Sequence, residues 1–516
     1  MARLHEYQGK AILAVNGFKI PHGRAASTAD DAVEAAKELL TAGKKGGEVV
    51  IKIQAWITGR AGLGGVAFAK RPADVRGHAA RMLSMKIGQF PVETVLVEEK
   101  IDIEREFFLS LAIDDAARAP AIIFAAGGGT GIEERAASTR KIPCDVKAGP
   151  SDAALREAVA SCGLSKDQTS QLAGSIRKLF VAARSVEARS LEINPLVLTK
   201  GGEFVAADCR VTIDDYAVAR HPELKIEIAR EFDHPPTALE RVAYAVEQND
   251  HRGTFYFAQL ATSAPKESKG LAGFHGAGGG GSMMSMDAIV NAGFTIANFT
   301  DTSGNPSASK VYRAARIILA QPNLVGYFGS GSGVASQEQY WSAYGLAKAF
   351  WELDLDIPAV IRLGGNTEDR AVEILERMAK LLDARIEGYR KTDAPAKIAG
   401  RFAELVAGAS RAKWRPRMPR APKFVRDPKA TRLPVKNGRV WIDTAKWPEI
   451  RGTVETHSSG LIVDHKGAPA PLSGEEFTTK DSELLACDVE CRLAGVEGFY
   501  LELDIPGLDE LIGGTR

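Results

Sequence analysis

Cysteine is scarce in this sequence, five residues in 516, odd in number and mostly scattered. That excludes a disulfide framework and leads to the expectation of a reducing, cytoplasmic compartment. Long apolar runs are missing too. The opening MARLHEYQGKAILAVNGFKI has only a short apolar run, too brief for a signal-peptide core, and nothing further on reaches the length of a membrane span. Charge of one sign is absent as well: 66 Lys and Arg stand against 65 Asp and Glu, a net charge of +1. Neither nucleic acid nor a membrane is therefore expected as a partner. What the chain has in plenty is glycine, 51 residues with little low complexity. The glycines gather where expected strands run into helices, the place for anion-binding loops. A chain of this length is expected to hold about two to four domains.

The most informative stretch is EARSLEINPLVLTKGGEFVAADCRVTIDD, Glu187 to Asp215. Lys200-Gly201-Gly202 separates two apolar-rich runs and supplies the positive-φ residues of a tight hairpin turn. A turn centred on Gly201 sets Asn194 opposite Asp208 and Glu192 opposite Arg210. Side chains alternate along a strand, so all four project from one face. The flanking residues are too apolar for a hairpin solvated on both sides, so a polar quartet on one face calls for a purpose. An amide oxygen facing a carboxylate is a hard oxygen pair, suited to Mg²⁺ whose other ligands are nucleotide phosphates.

Upstream, Lys52 falls inside an expected strand from Glu48 to Gln54, where a buried ammonium needs a counter-charge such as a phosphate. The loop ITGRAGLGGV follows, and Gly59 with its glycine neighbours lets backbone N–H groups approach a polyphosphate while Arg60 adds charge. VETVLVEEKIDIEREFFLSLAID reads as two strands carrying Glu98 and Glu106, and AIIFAAGGGTGIEE as a strand entering another glycine loop. After a helical connector, about His221 to Asn249, come four strand–glycine loop–helix units. That alternation means a parallel sheet with right-handed crossovers, its ligands at the carboxyl ends of the strands.

LEINPLVLT with its following Asp, the Lys52 strand and the Gly-Arg loop resemble the β subunit of succinyl-CoA synthetase and related ADP-forming acid–CoA ligases. The resemblance covers roughly residues 1 to 408. It implies an α/β chain: an ATP-grasp domain over residues 1–240, then a flavodoxin-like CoA-ligase domain over 250–408, where Ala297 to Phe299 and Arg362 to Asn366 keep the family's form. It also implies ATP held by Lys52, Gly59, Arg60, Glu98 and Glu106, with Mg²⁺ on Asn194 and Asp208. Glu192 would face a phosphohistidine brought by an α-like subunit with a CoA-binding domain. CoA is the co-substrate, a small carboxylic acid the acceptor, and a hetero-oligomer the assembly. Two departures sit on the acid side: a family Asn is His275, and a short Gly-Gly loop is the longer Gly329 to Gly333. These point away from succinate alone, and His275 joins Glu192 among the candidate catalytic residues. Ala61 and Gly62 also depart from the family's phosphate loop.

Residues 409–516 match nothing in that family. SRAKWRPRMPRAPKFVRDPKATRLPVK is a basic, proline-rich linker or extended arm, and GRVWID, GLIVDHKG, ELLACDVECRLAG and FYLELD read as a small β-rich module. Cys487 and Cys491, with His457 and His465 upstream, are loosely spaced for zinc, and buried thiols are the simpler reading. One rival function stays in view, a non-catalytic family member serving interaction or regulation; an ATP-grasp ligase that forms an acyl phosphate without phosphohistidine would not explain the second domain.

Overall fold

The run LHEYQGKAILAVNG holds helix α1, Glu6–Val15, with Asn16 as its C-cap and Gly17 at a φ of 80°. The computed structural model describes residues 2–42, 47–56, 59–128, 139–230, 234–248, 254–331, 333, 335–409, 413–435, 438–443, 445–446, 462–463, 469–470 and 474–513. The chain divides into two units, Met1–Pro235 and Pro236–Arg516.

In the first unit a four-stranded antiparallel sheet is built from β1 (Gly23–Ala26), β2 (Val49–Ile53), β3 (Val66–Ala69) and β4 (Val95–Glu99), in the order β1-β4-β2-β3. Helices α2 (Ala29–Ala42) and α3 (Pro72–Leu83) cover it, burying Ala32, Ala36, Val75 and Met82 against Val49, Ile51 and Val97. A larger antiparallel sheet holds β5 (Ile103–Asp114), β6 (Ala119–Ala125), β7 (Arg140–Asp145), β8 (Ala188–Thr199), β9 (Phe204–Ala206) and β10 (Arg210–Ile213). Between β7 and β8 run α4 (Asp152–Val159) and α5 (Lys166–Ser185), each opened by a serine whose hydroxyl accepts a backbone N–H. The glycine loop entered by β6 lies, from residue 129 to 138, outside the described residues.

The second unit opens with α6 (Ala238–Gln248) and the edge strand β11 (Tyr256–Gln259). The four expected units follow: β12 (Leu271–Ala277) with α7 (Gly279–Asn291), β13 (Asn298–Asp301) with α8 (Ala308–Ile318), β14 (Leu324–Gly331) with α9 (Tyr340–Glu352), and β15 (Ala359–Arg362) with α10 (Glu368–Ala379). Then come β16 (Ile386–Tyr389) and α11 (Pro395–Gly408). The order is β11-β13-β12-β14-β15-β16, antiparallel only between β11 and β13. The order reverses beside β12, which is the switch point where such sheets open a crevice at their carboxyl ends.

Among the described residues, the C-terminal hundred combine a three-stranded sheet and a short strand pair with a long helix and a short one. Strands β17 (Ala430–Val435), β18 (Gly438–Asp443) and β19 (Phe499–Leu503) form an antiparallel sheet, but ELLACDVECRLAG belongs mostly to helix α12 (Gly474–Ala494), not to a strand. Its buried residues Leu484, Leu485, Asp488, Val489, Cys491 and Arg492 recur with helical spacing, a period hidden by the short apolar run. The proline-rich stretch is an extended arm laid on the second unit. Its Trp414 is buried, donating through Nε1 to the Leu319 carbonyl at 2.6 Å, and Arg420 donates to the Trp351 carbonyl at 2.7 Å. Val440, Ile442, Leu485, Val489 and Leu501 share one apolar core with α8, α9 and α10.

Candidate functional site

Lys52 lies in β2, and its ammonium donates to Glu6 at 2.8 Å and to the Ala207 carbonyl at 2.9 Å, with Glu98 also 2.9 Å away. The counter-charge that this buried cation needs therefore comes from the chain itself. Glu98 is only 2% exposed, and both its oxygens accept from Lys10, at 2.6 and 2.8 Å. So Glu98 engages two lysines at once, Lys10 and Lys52. Lys10 also stands 2.7 Å from Glu6, one helical turn before it on α1.

Sequence reasoning did not single out Glu6 and Lys10. The available signal was their spacing, four residues apart on the face that also buries Gly9 and Leu13. Gly9 is what lets α1 approach. A Cβ there would meet Cys209 Sγ at 2.8 Å and Val211 Cγ2 at 3.0 Å. The helix thus lies against the far strand of the hairpin and delivers Glu6 beside Lys52.

Arg60 follows Gly59, whose φ of 67° suits a residue without a side chain. The loop tightens as Leu63 and Gly65 donate N–H groups to the Arg60 carbonyl at 3.2 and 2.8 Å. The guanidinium joins both ends of the site: Nη1 donates to Glu6 at 2.7 Å, and Nη2 to Asp208 Oδ2 at 2.7 Å. Three carboxylates (Glu6, Glu98, Asp208) and three cations (Lys10, Lys52, Arg60) form one connected network with no net charge. Burial works to raise the Glu6 carboxyl, but Lys52, Lys10 and Arg60 outweigh it and hold the group far below the carboxylate range. Burial likewise opposes the charges on Lys52 and Arg60, and the neighbouring carboxylates outweigh it and keep both fully protonated.

The hairpin has the register read from its turn. Glu192 pairs with Arg210 and Ser110, and Leu196 pairs with Ala206. Asn194 and Asp208 fall at the opposed position between those paired stretches. Asp208 Oδ1 accepts the Cys209 N–H at 2.7 Å, and its side chain is a quarter exposed. A carboxylate opposed to an amide fits a hard divalent cation that takes its remaining ligands from phosphates and water. Arg60 now occupies one of the two Asp208 oxygens. Glu106 lies on β5 opposite Val197, half-buried on the same sheet, and Glu192 is half-buried two residues from Asn194.

His275 belongs to the second unit. It lies on β12 and is 6% exposed; Nδ1 hydrogen-bonds the Tyr327 hydroxyl, and Nε2 lies 3.2 Å from Thr302 Oγ1. Burial alone lowers its pKa to about 3, so the ring is neutral. A neutral, enclosed ring with both nitrogens engaged suits a hydrogen-bonding, positioning role. Nearby, Arg362 donates to the carbonyls of Gly331 and Lys391 at 2.7 and 2.8 Å, pinning the lengthened glycine loop to the end of β15. Cys487 and Cys491 stand one turn apart on α12. His457 and His465 lie outside the described residues, and among the described residues no cluster of three or more His, Cys, Asp or Glu is arranged for a metal. Nor is any helix among them long and apolar enough to cross a membrane.

Residues 3–198 match the family model of the ATP-grasp domain. The β subunit of succinate–CoA ligase (ADP-forming) from Rubrobacter xylanophilus is 32% identical over 377 residues, 72% of this chain and 92% of that relative. The β subunit of succinate–CoA ligase (GDP-forming) from Thermus thermophilus is 34% identical over 378 residues, 72% of this chain and 93% of that relative. Among solved structures, ATP citrate lyase from Methanothrix soehngenii, in complex with citrate and coenzyme A, superposes on 78% of this chain and 99% of its own with a TM-score of 0.64. At 18% identity that likeness is one of fold.

Proposed function

This chain belongs to the family of succinate–CoA ligase β subunits, and on that premise we propose that it is the nucleotide-binding subunit of an ADP-forming acid–CoA ligase. The observation that carries the reading is the hairpin: Asn194 and Asp208 in opposed register, beside Lys52 and Arg60 on the neighbouring sheet and loop. Asn194 and Asp208 would hold Mg²⁺, which when bound neutralises charge on the nucleotide's phosphate oxygens.

Lys52 and Arg60 orient the terminal phosphates and offset the charge that develops as the phosphoryl moves. Gly59 and its loop bring backbone N–H groups to the phosphates, and Glu106 marks the side of the larger sheet on which the nucleotide lies. Glu98, Glu6 and Lys10 hold Lys52 in place. The phosphoryl passes to a histidine carried by an α-type partner, and Glu192 orients that ring and balances its positive charge. The acid's carboxylate oxygen then attacks phosphorus, giving an acyl phosphate and a free histidine. The CoA thiolate attacks the acyl carbon and expels phosphate.

The acid is a small carboxylate bound at the carboxyl ends of the second unit's strands. His275 acts there as a positioning residue, through its bonds to Tyr327 and Thr302, while Arg362 anchors the Gly329–Gly333 loop. The longer loop supports an acid other than, or besides, succinate. The test is CoA-thioester formation across a panel of mono- and dicarboxylates, using the chain with its co-purified α-type partner. Thioester with ADP release for at least one acid is expected. No turnover with any acid, together with no Mg-ATP binding, overturns the reading.

A further inference from the structure

The Arg60–Asp208 contact has a feature the other ion pairs of the network lack. Glu6 and Glu98 are 2% exposed at the side chain and each meets two or more cations, so neither depends on one partner. Asp208 is 25% exposed, and among its ion pairs the guanidinium of Arg60 is the cation at hydrogen-bonding distance, 2.7 Å from Oδ2. Its other oxygen takes a backbone N–H, which persists whichever cation is present. Arg60 itself is held from the far side, since Nη1 keeps Glu6 at 2.7 Å and the Ile53 carbonyl at 3.2 Å. Breaking the Asp208 contact would therefore leave Arg60 anchored through Nη1 with Nη2 free for another acceptor.

We propose that Arg60 is a placeholder cation: it holds Asp208 through Nη2 and is displaced from it when a divalent ion binds there. This deepens the function proposed above and rests on Asp208 being a metal ligand. Without a cation, a carboxylate beside the largely buried network would carry an unbalanced charge. The divalent ion brings more positive charge to Asp208 than the network can neutralise. The freed Nη2 is then directed to the incoming phosphates, whose negative charge restores the balance. Metal alone must compete with the guanidinium, whereas metal delivered with a polyphosphate provides a new partner for each group it separates. Divalent ions on their own are thus disfavoured at Asp208.

Removing the guanidinium should have opposite effects on the two ligands. In Arg60→Gln, Glu6 keeps Lys10 and Lys52 at 2.7 and 2.8 Å, so no buried carboxylate is stranded. The experiment titrates Mn²⁺ alone into the full-length nucleotide-free chain by electron paramagnetic resonance, and Mg-ATP separately by calorimetry. The expected result is Mn²⁺ affinity at least tenfold tighter in Arg60→Gln than in wild type, a gain absent from Arg60→Gln/Asp208→Asn, with Mg-ATP affinity severalfold weaker. Equal Mn²⁺ affinity in wild type and Arg60→Gln overturns the proposal. A second readout uses wild type only: reaction of Arg60 with phenylglyoxal, mapped by mass spectrometry, should quicken severalfold when Mn²⁺ saturates the chain, and an unchanged rate overturns the proposal too. Mg-ATP binding that depends on Asp208, with Mn²⁺ indifferent to Arg60, would sink this inference alone. Failure of Mg-ATP to bind wild type would sink the nucleotide reading beneath it.

Discussion

Glu6 is the residue on which the site turns, because it touches Lys10, Lys52 and Arg60 at once. Glu6→Gln leaves three cations sharing Glu98 and Asp208, and breaking a buried pair in this way costs about 3–5 kcal/mol. Urea unfolding of the variant should show a loss of that order, with Mg-ATP affinity reduced. The sign of the pH dependence follows from the same contacts. The folded Glu6 carboxyl titrates below its ordinary value of 4.5, so its stabilisation is complete above that pH and lost as pH falls below it. His275 acts earlier. Its pKa falls from 6.5 to about 3, so between those values the unfolded chain binds the extra proton and stability drops as pH drops. The slope is ~1.4 kcal/mol for each pH unit. In unfolding measurements between pH 6.5 and 5, His275→Asn should remove that slope. An identical slope in both proteins would show that the ring is not buried neutral.

At the scale of elements, α1 and the hairpin make the site, and they were unequally legible. The hairpin's register followed from Lys200-Gly201-Gly202, because a short turn fixes pairing and period two fixes the faces. Lys52's need for a counter-charge was equally legible, but not its source. Its carboxylates lie 46 residues away at Glu6 and on the adjacent strand at Glu98, and no local pattern joins them. The parallel units of the second half were plain from strand–helix alternation. The helix carrying Cys487 and Cys491 was not, since a short apolar string suits either period. Gly9 offers the sharpest test of how α1 is seated. Gly9→Ala drives a Cβ into Cys209 and Val211, and overpacking of this kind costs about 1–3 kcal/mol. Thermal unfolding should show the first unit destabilised and Mg-ATP binding weakened with it. A neutral result would mean that α1 can shift away from the hairpin without disturbing Glu6.

Across the whole molecule, the two units bear different loads. The C-terminal arm and helix complete the second unit's core: Asp488 meets the buried Lys348 of α9, Asp509 meets Arg316 of α8 at 3.0 Å, and Glu490 accepts from Tyr344 at 2.8 Å. Truncation after Gly408 takes Asp488 from Lys348 and Asp509 from Arg316, which keep Glu352 and Tyr312 as partners, and exposes the apolar face over α8 and α9. Hydrogen exchange should show those helices losing protection while Mg-ATP binding by the first unit persists. Full protection in the truncated chain would make the C-terminal hundred residues an appendage.

The central claim is that the hairpin and its charge network activate a nucleotide for phosphoryl transfer to a partner. The direct measurement incubates the chain and its α-type partner with γ-labelled ATP and Mg²⁺, then maps acid-labile label. Label is predicted on a histidine of the partner, with transfer reduced at least tenfold in Asp208→Ala and Asn194→Ala, the order expected when a metal's ligand shell is disturbed. Label on His275 of this chain, or transfer unaffected by either substitution, would contradict it.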